Sequence, residues 1–183
     1  MAATPALAAL TSAGVPHEVV KYGHDPREHS YGAEAVNALT KAFSGVGAIA
    51  PEQIYKTLVI AVPTGLAVAI VQATARLSLK AAAAALGVAK VAMAEPAIAE
   101  RSTGYVLGAV SPFGQRKALP TVLDSSALAW ERMFCSAGRR GWDVAVAPQD
   151  LIRVTGAVTA DIQVLRSAFG EGELRDVGVA LAE

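Results

Sequence analysis

Short apolar segments with helical spacing predict several helices. An alanine- and leucine-rich segment begins after Thr4 and Pro5 and stops before Gly14. A threonine before the first turn, a proline inside it and a glycine past the end are typical of helix boundaries, so a short capped helix is predicted here. Further helices are predicted at 32–41, 78–86, 95–101 and 148–154.

Runs rich in valine and isoleucine predict β-strands. The two clearest runs, 53–62 and 66–72, face each other across 63–65 and predict a hairpin. Shorter strands are predicted at 17–22, 90–93, 105–110, 121–123, 132–135 and 142–147. Because strands and helices mix without regular alternation, the pattern predicts an α+β fold with a mixed, curled sheet and flanking helices.

Length and composition indicate one globular domain. The chain has 183 residues, of which 53% are hydrophobic and 17% charged, and this composition excludes a disordered protein. We expect the domain to span 1–160, and 161–183 to form a tail to which the pattern assigns no structure. Sixteen basic and sixteen acidic residues give a formal charge of zero, which argues against a protein that coats DNA or other nucleic acid by bulk electrostatics.

Localisation follows from what the sequence lacks. No uninterrupted apolar run is long enough to span a membrane, and the first residues lack the pattern of an export signal. The single cysteine, Cys135, excludes an internal disulfide framework and is typical of a reducing compartment. A cytoplasmic protein without a membrane partner is therefore expected.

Metal and cysteine chemistry receive little support. His17, His24 and His29 are close in sequence but lack the spacing of metal ligands, so we expect solvated histidines and neither a metal nor a cofactor. Cys135 lies in an alternating strand, which favours a buried apolar thiol over a nucleophile.

Glycines, small hydroxyls and basic residues crowd into the stretch 101–143. The glycine pairs Gly104 and Gly108, and Gly138 and Gly141, match neither the dinucleotide fingerprint nor the P-loop. Two interpretations remain open. Each glycine can simply allow a tight turn, or it can let backbone N–H groups approach a ligand carbonyl or phosphate.

Lys56 interrupts an apolar strand. Strand alternation places Lys56 on the same face as Leu58 and Ile60, so its amine either extends to the edge of that face or points into a polar cavity. Thr57 lies on the opposite face, where a threonine is more often a strand-forming residue than a ligand.

Basic residues exceed acidic ones in the segment 116–140. Five cations stand against the two anions Asp124 and Glu131, an excess of three. Such a patch can bind a phosphate backbone or can be a solvated surface, and the sequence favours neither. The five cations are Arg116, Lys117, Arg132, Arg139 and Arg140.

Five linked motifs resemble the YbaK family. They are Tyr55-Lys56-Thr57-Leu58, the segment STGYVLG at 102–108, SPFGQ at 111–115, SAGRRG at 136–141 and APQDL at 147–151. Their order and spacing are similar to those of bacterial Cys-tRNA(Pro) deacylases over about residues 4–160.

The resemblance implies a trans-editing enzyme that hydrolyses Cys-tRNA(Pro), related to the editing domain of bacterial prolyl-tRNA synthetases. It implies a curled, barrel-like sheet around a small pocket, with Lys56 as the essential catalytic lysine. The substrate-binding positions it implies are Tyr22, Thr57, Gly108, Ser136, Gly138 and Asp143. The tRNA would contact Arg116, Lys117, Arg139 and Arg140, and prolyl-tRNA synthetase is a candidate partner.

Two departures and two alternatives accompany this resemblance. Ala109 and Ala137 stand where similar proteins often have glycine, and an added methyl is expected to narrow the pocket or shift an amide. An Ala-tRNA(Pro) deacylase of the same fold is the first alternative. The second is a non-catalytic module that binds an aminoacyl-adenosine or a nucleotide.

Overall fold

The computed structural model describes residues 3–45 and 47–164. It confirms the predicted helices. Thr4 caps the first one, since its hydroxyl accepts a hydrogen bond from the Leu7 N–H at 3.2 Å, and Ser78 caps the third by accepting from the Ala81 N–H at 3.2 Å. The helices are α1 Pro5–Ser12, α2 Tyr31–Ala42, α3 Leu79–Ala85, α4 Pro96–Thr103 and α5 Pro148–Thr155.

The strands form three sheets. They are β1 Glu18–Lys21, β2 Tyr55–Val62, β3 Gly65–Gln72, β4 Arg76–Leu77, β5 Ala92–Met93, β6 Thr121–Asp124, β7 Met133–Arg139, β8 Trp142–Val146, β9 Val158–Ala160 and β10 Gln163–Val164. A three-stranded sheet has the order β1-β8-β7, a mixed five-stranded sheet the order β5-β2-β3-β6-β9, and β10 pairs with β4. The predicted hairpin is confirmed as β2 and β3, paired antiparallel along their full length.

The main hydrophobic core lies between the two larger sheets. One face of each sheet lines it, with Val68 from β3 and Val144 from β8 as examples, and α1 and α5 add Leu10 and Leu151. A second cluster packs α3 on the other face of the five-stranded sheet, and a third packs α2 on the other face of the three-stranded sheet. Amphipathic elements therefore cover both sheets on both sides.

The α+β class is confirmed, but the expected single curled sheet is not observed. The two larger sheets are separate, and one parallel bridge, Ile54 with Phe134, joins them within the described residues. A bulge between Ser136 and Arg139 bends β7 immediately after this bridge. Because the bridge is isolated, β7 and β2 do not continue as one sheet.

The predicted strand at 105–110 is wrong. This segment lies in the irregular connection from α4 to β6, although Tyr105, Ala109 and Val110 are buried. The Tyr105 hydroxyl donates to the Phe113 carbonyl at 2.6 Å, and Gly108 has a φ of +78°. The segment is apolar because it packs on the main core, not because it pairs with a strand.

The ordered fold extends past residue 160, where the domain is expected to end. Asp124 accepts hydrogen bonds from the N–H groups of Ile162 and Gln163 at 2.9 and 3.0 Å, which positions β10 beside β4. The rest of the predicted tail, 165–183, lies outside the described residues. No helix in the described part of the chain is long and apolar enough to cross a membrane.

Candidate functional site

Lys56 lies where the two larger sheets meet. It follows Ile54 on the same face of β2, and Ile54 belongs to the cluster beneath α2, whereas Leu58 belongs to the cluster beneath α3. The lysine is partly buried between these two apolar clusters. The sequence prediction that Lys56 shares a face with Leu58 and Ile60 is confirmed.

One bridge between the sheets relates the segment that carries Lys56 to the segment that carries Ser136. Ile54 pairs in parallel with Phe134, and both side chains belong to the cluster beneath α2. Lys56 and Ser136 each follow a bridged residue by two positions, on the same side of their strands. The bridge therefore joins two segments whose motifs are far apart in sequence.

Asp143 and Tyr22 complete this side of the junction. Asp143 pairs with Ser136 across the β7–β8 hairpin, and its Oδ2 accepts a hydrogen bond from the Tyr22 hydroxyl at 3.1 Å. The Tyr22 N–H donates to the Gly141 carbonyl at 2.8 Å, which fixes the tyrosine beside the hairpin. Ser136, Asp143 and Tyr22 thus share one region.

Burial controls the protonation of Asp143 and Tyr22. Burial raises the pKa of Asp143 to about 6, and the hydrogen bond from Tyr22 offsets part of that increase. Burial and the negative charge of Asp143 both raise the pKa of Tyr22 far above its ordinary value, so the hydroxyl stays protonated and donates. A carboxyl group whose pKa lies near neutrality is typical of residues that transfer protons.

Gly108 and Gly138 each lie against an aromatic ring. A Cβ at Gly108, whose φ is +78°, would lie 2.6 Å from the ring of Tyr31. A Cβ at Gly138, whose φ is +88°, would lie 2.6 Å from the ring of Tyr105. Both glycines are thus required by backbone conformation and by close packing.

The two glycine amides differ in their hydrogen bonds. The Gly138 N–H donates to the Ser136 Oγ at 3.2 Å, so it is already used within the hairpin. For the Gly108 N–H, the described residues provide no acceptor. Of the two glycine amides, only that of Gly108 therefore lacks an acceptor among the described residues.

Thr57 lies apart from this group. As predicted, it is on the opposite face of β2 from Lys56, and its neighbours Tyr55 and Val59 on that face belong to the main core. Its Oγ1 is buried and has no hydrogen-bond partner among the described residues. Thr57 therefore does not share a face with Lys56.

The predicted basic patch divides into separate parts. Arg139 and Arg140 lie exposed at the tip of the β7–β8 hairpin, and Arg140 Nε donates to the Leu107 carbonyl at 2.9 Å. Arg116 packs its side chain against Gly104, beside the exposed Lys117. Arg132, at the other end of the hairpin, forms an ion pair with Glu18 at 3.2 Å.

Cys135 and the histidines are not part of the junction. Cys135 is fully buried in the main core, and this burial strongly raises the pKa of its thiol, so the prediction of an apolar cysteine is confirmed. His17 Nδ1 lies 2.8 Å from the Val15 carbonyl oxygen, and His24 Nδ1 lies 2.8 Å from Glu34 Oε2. In the described ranges, no three His, Cys, Asp or Glu side chains form a group that could hold a metal ion.

Ala109 and Ala137 point into the protein. Both are at most 1% exposed, and Ala137 belongs to the main core. The methyl group of Ala137 therefore packs in the main core, and that of Ala109 is buried. Sequence reasoning did not identify Tyr31 as a neighbour of the glycine loop, because nothing in its local pattern distinguishes it.

The chain matches known proteins over most of its length. The family model described as an aminoacyl-tRNA editing domain matches residues 29–154. A candidate Cys-tRNA(Pro)/Cys-tRNA(Cys) deacylase of Enterococcus faecalis, EbsC, is 37% identical over 111 residues, which cover 60% of this chain and 68% of that protein.

Solved structures share the fold. A candidate trans-editing enzyme for prolyl tRNA synthetase superposes with a TM-score of 0.71 at 27% identity, covering 87% of this chain and 95% of that one. A chain from work on epitope grafting onto scaffold proteins superposes with a TM-score of 0.72 at 26% identity, with coverage of 87% and 95%. The family match and these relatives show that the chain belongs to the YbaK family of aminoacyl-tRNA editing domains.

Proposed function

We propose that this protein removes cysteine from mischarged Cys-tRNA(Pro), with Lys56 as the catalytic residue. The observation that supports the proposal is the bridge of Ile54 with Phe134, because Lys56 and Ser136 each follow a bridged residue by two positions and Ser136 pairs with Asp143. The names of the E. faecalis relative and of the trans-editing structure support the substrate class.

An aminoacyl ester is already activated, so the enzyme has to orient it and to stabilise the charge that develops on the acyl oxygen. We assign Lys56 to bind the acyl carbonyl or the adjacent phosphate. The Gly108 N–H and the Ser136 hydroxyl would donate to the developing oxyanion. The Gly138 N–H contributes indirectly, because its hydrogen bond orients the Ser136 hydroxyl.

The resemblance to the family implies that the nucleophile belongs to the substrate. The cysteine thiolate attacks its own carbonyl carbon, a C–S bond forms, and the ester C–O bond breaks to release the tRNA hydroxyl. The resulting thiolactone is then hydrolysed by water to cysteine. The thiol proton goes to a base, and Asp143, with a pKa of about 6, is ionised at neutral pH and suited to accept it and to return it to the leaving tRNA oxygen.

Replacing Lys56 tests this assignment. In Lys56→Ala the hydrolysis of Cys-tRNA(Pro) should fall by about two orders of magnitude or more, as for loss of an oxyanion-stabilising group. Lys80→Ala, which removes an exposed lysine from α3, is the matched control and should keep full activity. A folded Lys56→Ala protein with unchanged turnover would reject the catalytic role.

A substrate panel separates the alternatives. Cys-, Ala- and Pro-tRNA(Pro) are offered to the wild-type protein, and only the cysteine ester should be hydrolysed rapidly, because alanine and proline lack the thiol. Rapid release of alanine would assign the Ala-tRNA(Pro) activity instead. Binding of an aminoacyl-adenosine analogue without hydrolysis of any ester would assign a non-catalytic module.

We further propose that the tRNA contacts the exposed cations Arg116, Lys117, Arg139 and Arg140. Arg139→Glu combined with Arg140→Glu should weaken tRNA binding and reduce its salt dependence. Unchanged binding would make these arginines an ordinary solvated surface. A formal charge of zero predicts weak unaided affinity for tRNA, so prolyl-tRNA synthetase is the expected partner that delivers the substrate.

A further inference from the structure

A tryptophan with a cation on each side crosses the end of the three-stranded sheet. Trp142 on the central strand β8 pairs with Lys21 on β1 and with Arg139 on β7. Lys21 Nζ lies 3.9 Å from the centroid of the indole ring, and Arg139 Cζ lies 5.2 Å from it. We call these three residues the cation row.

Among the described residues, no carboxylate forms an ion pair with the cations of the cation row. Lys21 and Arg139 are exposed, and neither forms an ion pair with an acidic residue in the described ranges. Arg132, in contrast, is paired with Glu18 on the same sheet. Two exposed cations on the strands that flank β8, with no carboxylate partner among the described residues of a protein without net charge, match a polyanionic ligand.

The indole holds the two cations in place. Trp142 is partly buried and packs against the main core, so its ring is fixed by the fold. Attraction between a cation and an aromatic ring then favours one position for each of the two long side chains. Both charges are therefore ordered before a ligand arrives, which reduces the entropy lost on binding.

The cation row lies next to the candidate catalytic site. Trp142 directly precedes Asp143 on β8, and their side chains leave opposite faces of the strand. A ligand that reaches both must pass around the hairpin tip, where Arg140 is exposed. Because the two faces belong to a single sheet, the last few nucleotides of an RNA strand are long enough to reach both.

We propose that the cation row binds the phosphates of the unpaired 3′ end of the tRNA, and that Trp142 acts as its positioning residue. This proposal rests on the proposed deacylase function, since an aminoacyl group at the junction is attached to the last nucleotide of that end. Lys21 and Trp142 then join the tRNA-binding surface, to which Arg139 already belongs in our proposal.

Binding of two uncharged RNAs tests the proposal. The probes are a full-length tRNA(Pro) transcript and the same transcript without its three 3′-terminal nucleotides, each titrated by fluorescence anisotropy over a range of KCl concentrations. Lys21→Gln should lower the slope of log K against log [KCl] by roughly 0.7 on the full transcript, and leave it unchanged on the truncated one. Trp142→Leu should keep the slope but weaken binding of the full transcript roughly fivefold or more.

Matched variants control for charge and for folding. Lys80→Gln removes an exposed lysine from α3. Trp130→Leu removes the other tryptophan, which lies beside Tyr55. Neither substitution should change the affinity for the full-length transcript. Trp142→Phe retains a ring for the cations and should keep most of the affinity. If Trp142→Phe loses as much as Trp142→Leu, the indole does not position the cations.

Equal losses on both transcripts would overturn the proposal, because the cation row would then contact the paired stem or any polyanion. An unchanged slope in Lys21→Gln would also overturn it. Since uncharged RNA is not a substrate, these results do not depend on hydrolysis. A protein that fails to hydrolyse Cys-tRNA(Pro) but shows the expected binding would reject only the deacylase proposal.

Discussion

The buried carboxyl of Asp143 should make the stability of this protein depend on pH. Its pKa is raised from 3.8 to about 6, so the folded state binds the proton more tightly than the unfolded chain. The stability that the protonated carboxyl of Asp143 provides is fully present below about pH 4 and is lost as the pH rises through 6. With about 1.4 kcal/mol per pKa unit, ionisation of Asp143 costs the folded state about 3 kcal/mol at pH 7.

Asp143→Asn isolates this cost. The amide is uncharged at every pH and can still accept the hydrogen bond from Tyr22, so the variant should gain stability relative to the wild type as the pH rises from 4 to 7. The gain should approach about 3 kcal/mol at pH 7. Urea unfolding of both proteins across this range measures it, because titration of the other groups cancels in the difference.

Glu131→Gln provides the control, since Glu131 is exposed in the turn before β7. Its stability relative to the wild type should stay nearly constant over the same pH range. A pH-independent difference between Asp143→Asn and the wild type would refute the reasoning, since it would mean that the carboxyl of Asp143 titrates alike in the folded and unfolded states.

Two further substitutions test the packing around the site. Gly108→Ala should cost at least about 2 kcal/mol in urea unfolding, because its Cβ would meet the ring of Tyr31 at 2.6 Å in a left-handed conformation. Gly87→Ala, at φ +67° with open space around it, should lower the free energy of unfolding by only about 1 kcal/mol. If the two variants lose equal stability, the clash with Tyr31 does not contribute. Thr57→Val should raise the free energy of unfolding by about 1 kcal/mol, because it removes a buried hydroxyl that has no partner within the described residues. A destabilised variant would indicate that the Thr57 Oγ1 is hydrogen-bonded.

Local signals in the sequence predicted most of the secondary structure. The caps at Thr4 and Ser78 and the hairpin turn at 63–65 act within a few residues, and the structure has helices and a hairpin at those places. The segment 105–110 misled the prediction because an apolar run does not distinguish a paired strand from a buried loop. The glycine at position 108 was the available sign of a loop in the sequence, and its φ is positive in the structure.

The arrangement of the sheets could not be predicted in the same way. The bridge of Ile54 with Phe134 joins residues far apart in the chain, and no local pattern encodes which strand β7 approaches. The motifs identified Lys56, Ser136 and Asp143 as candidates. Only the folded chain shows that Ser136 and Asp143 pair across the hairpin, while Thr57, inside the same motif as Lys56, faces the main core.

The β7–β8 hairpin explains how a chain without net charge can handle a polyanion. Its residues alternate between the two faces of the sheet, so Asp143 points to the face where it contacts Tyr22, and Trp142, with Lys21 and Arg139 beside it, points to the opposite face. A buried carboxylate and exposed cations can therefore be adjacent in sequence without neutralising each other. The chemical step needs a desolvated site and RNA binding needs solvated charge, and in our proposal one hairpin provides both on opposite faces.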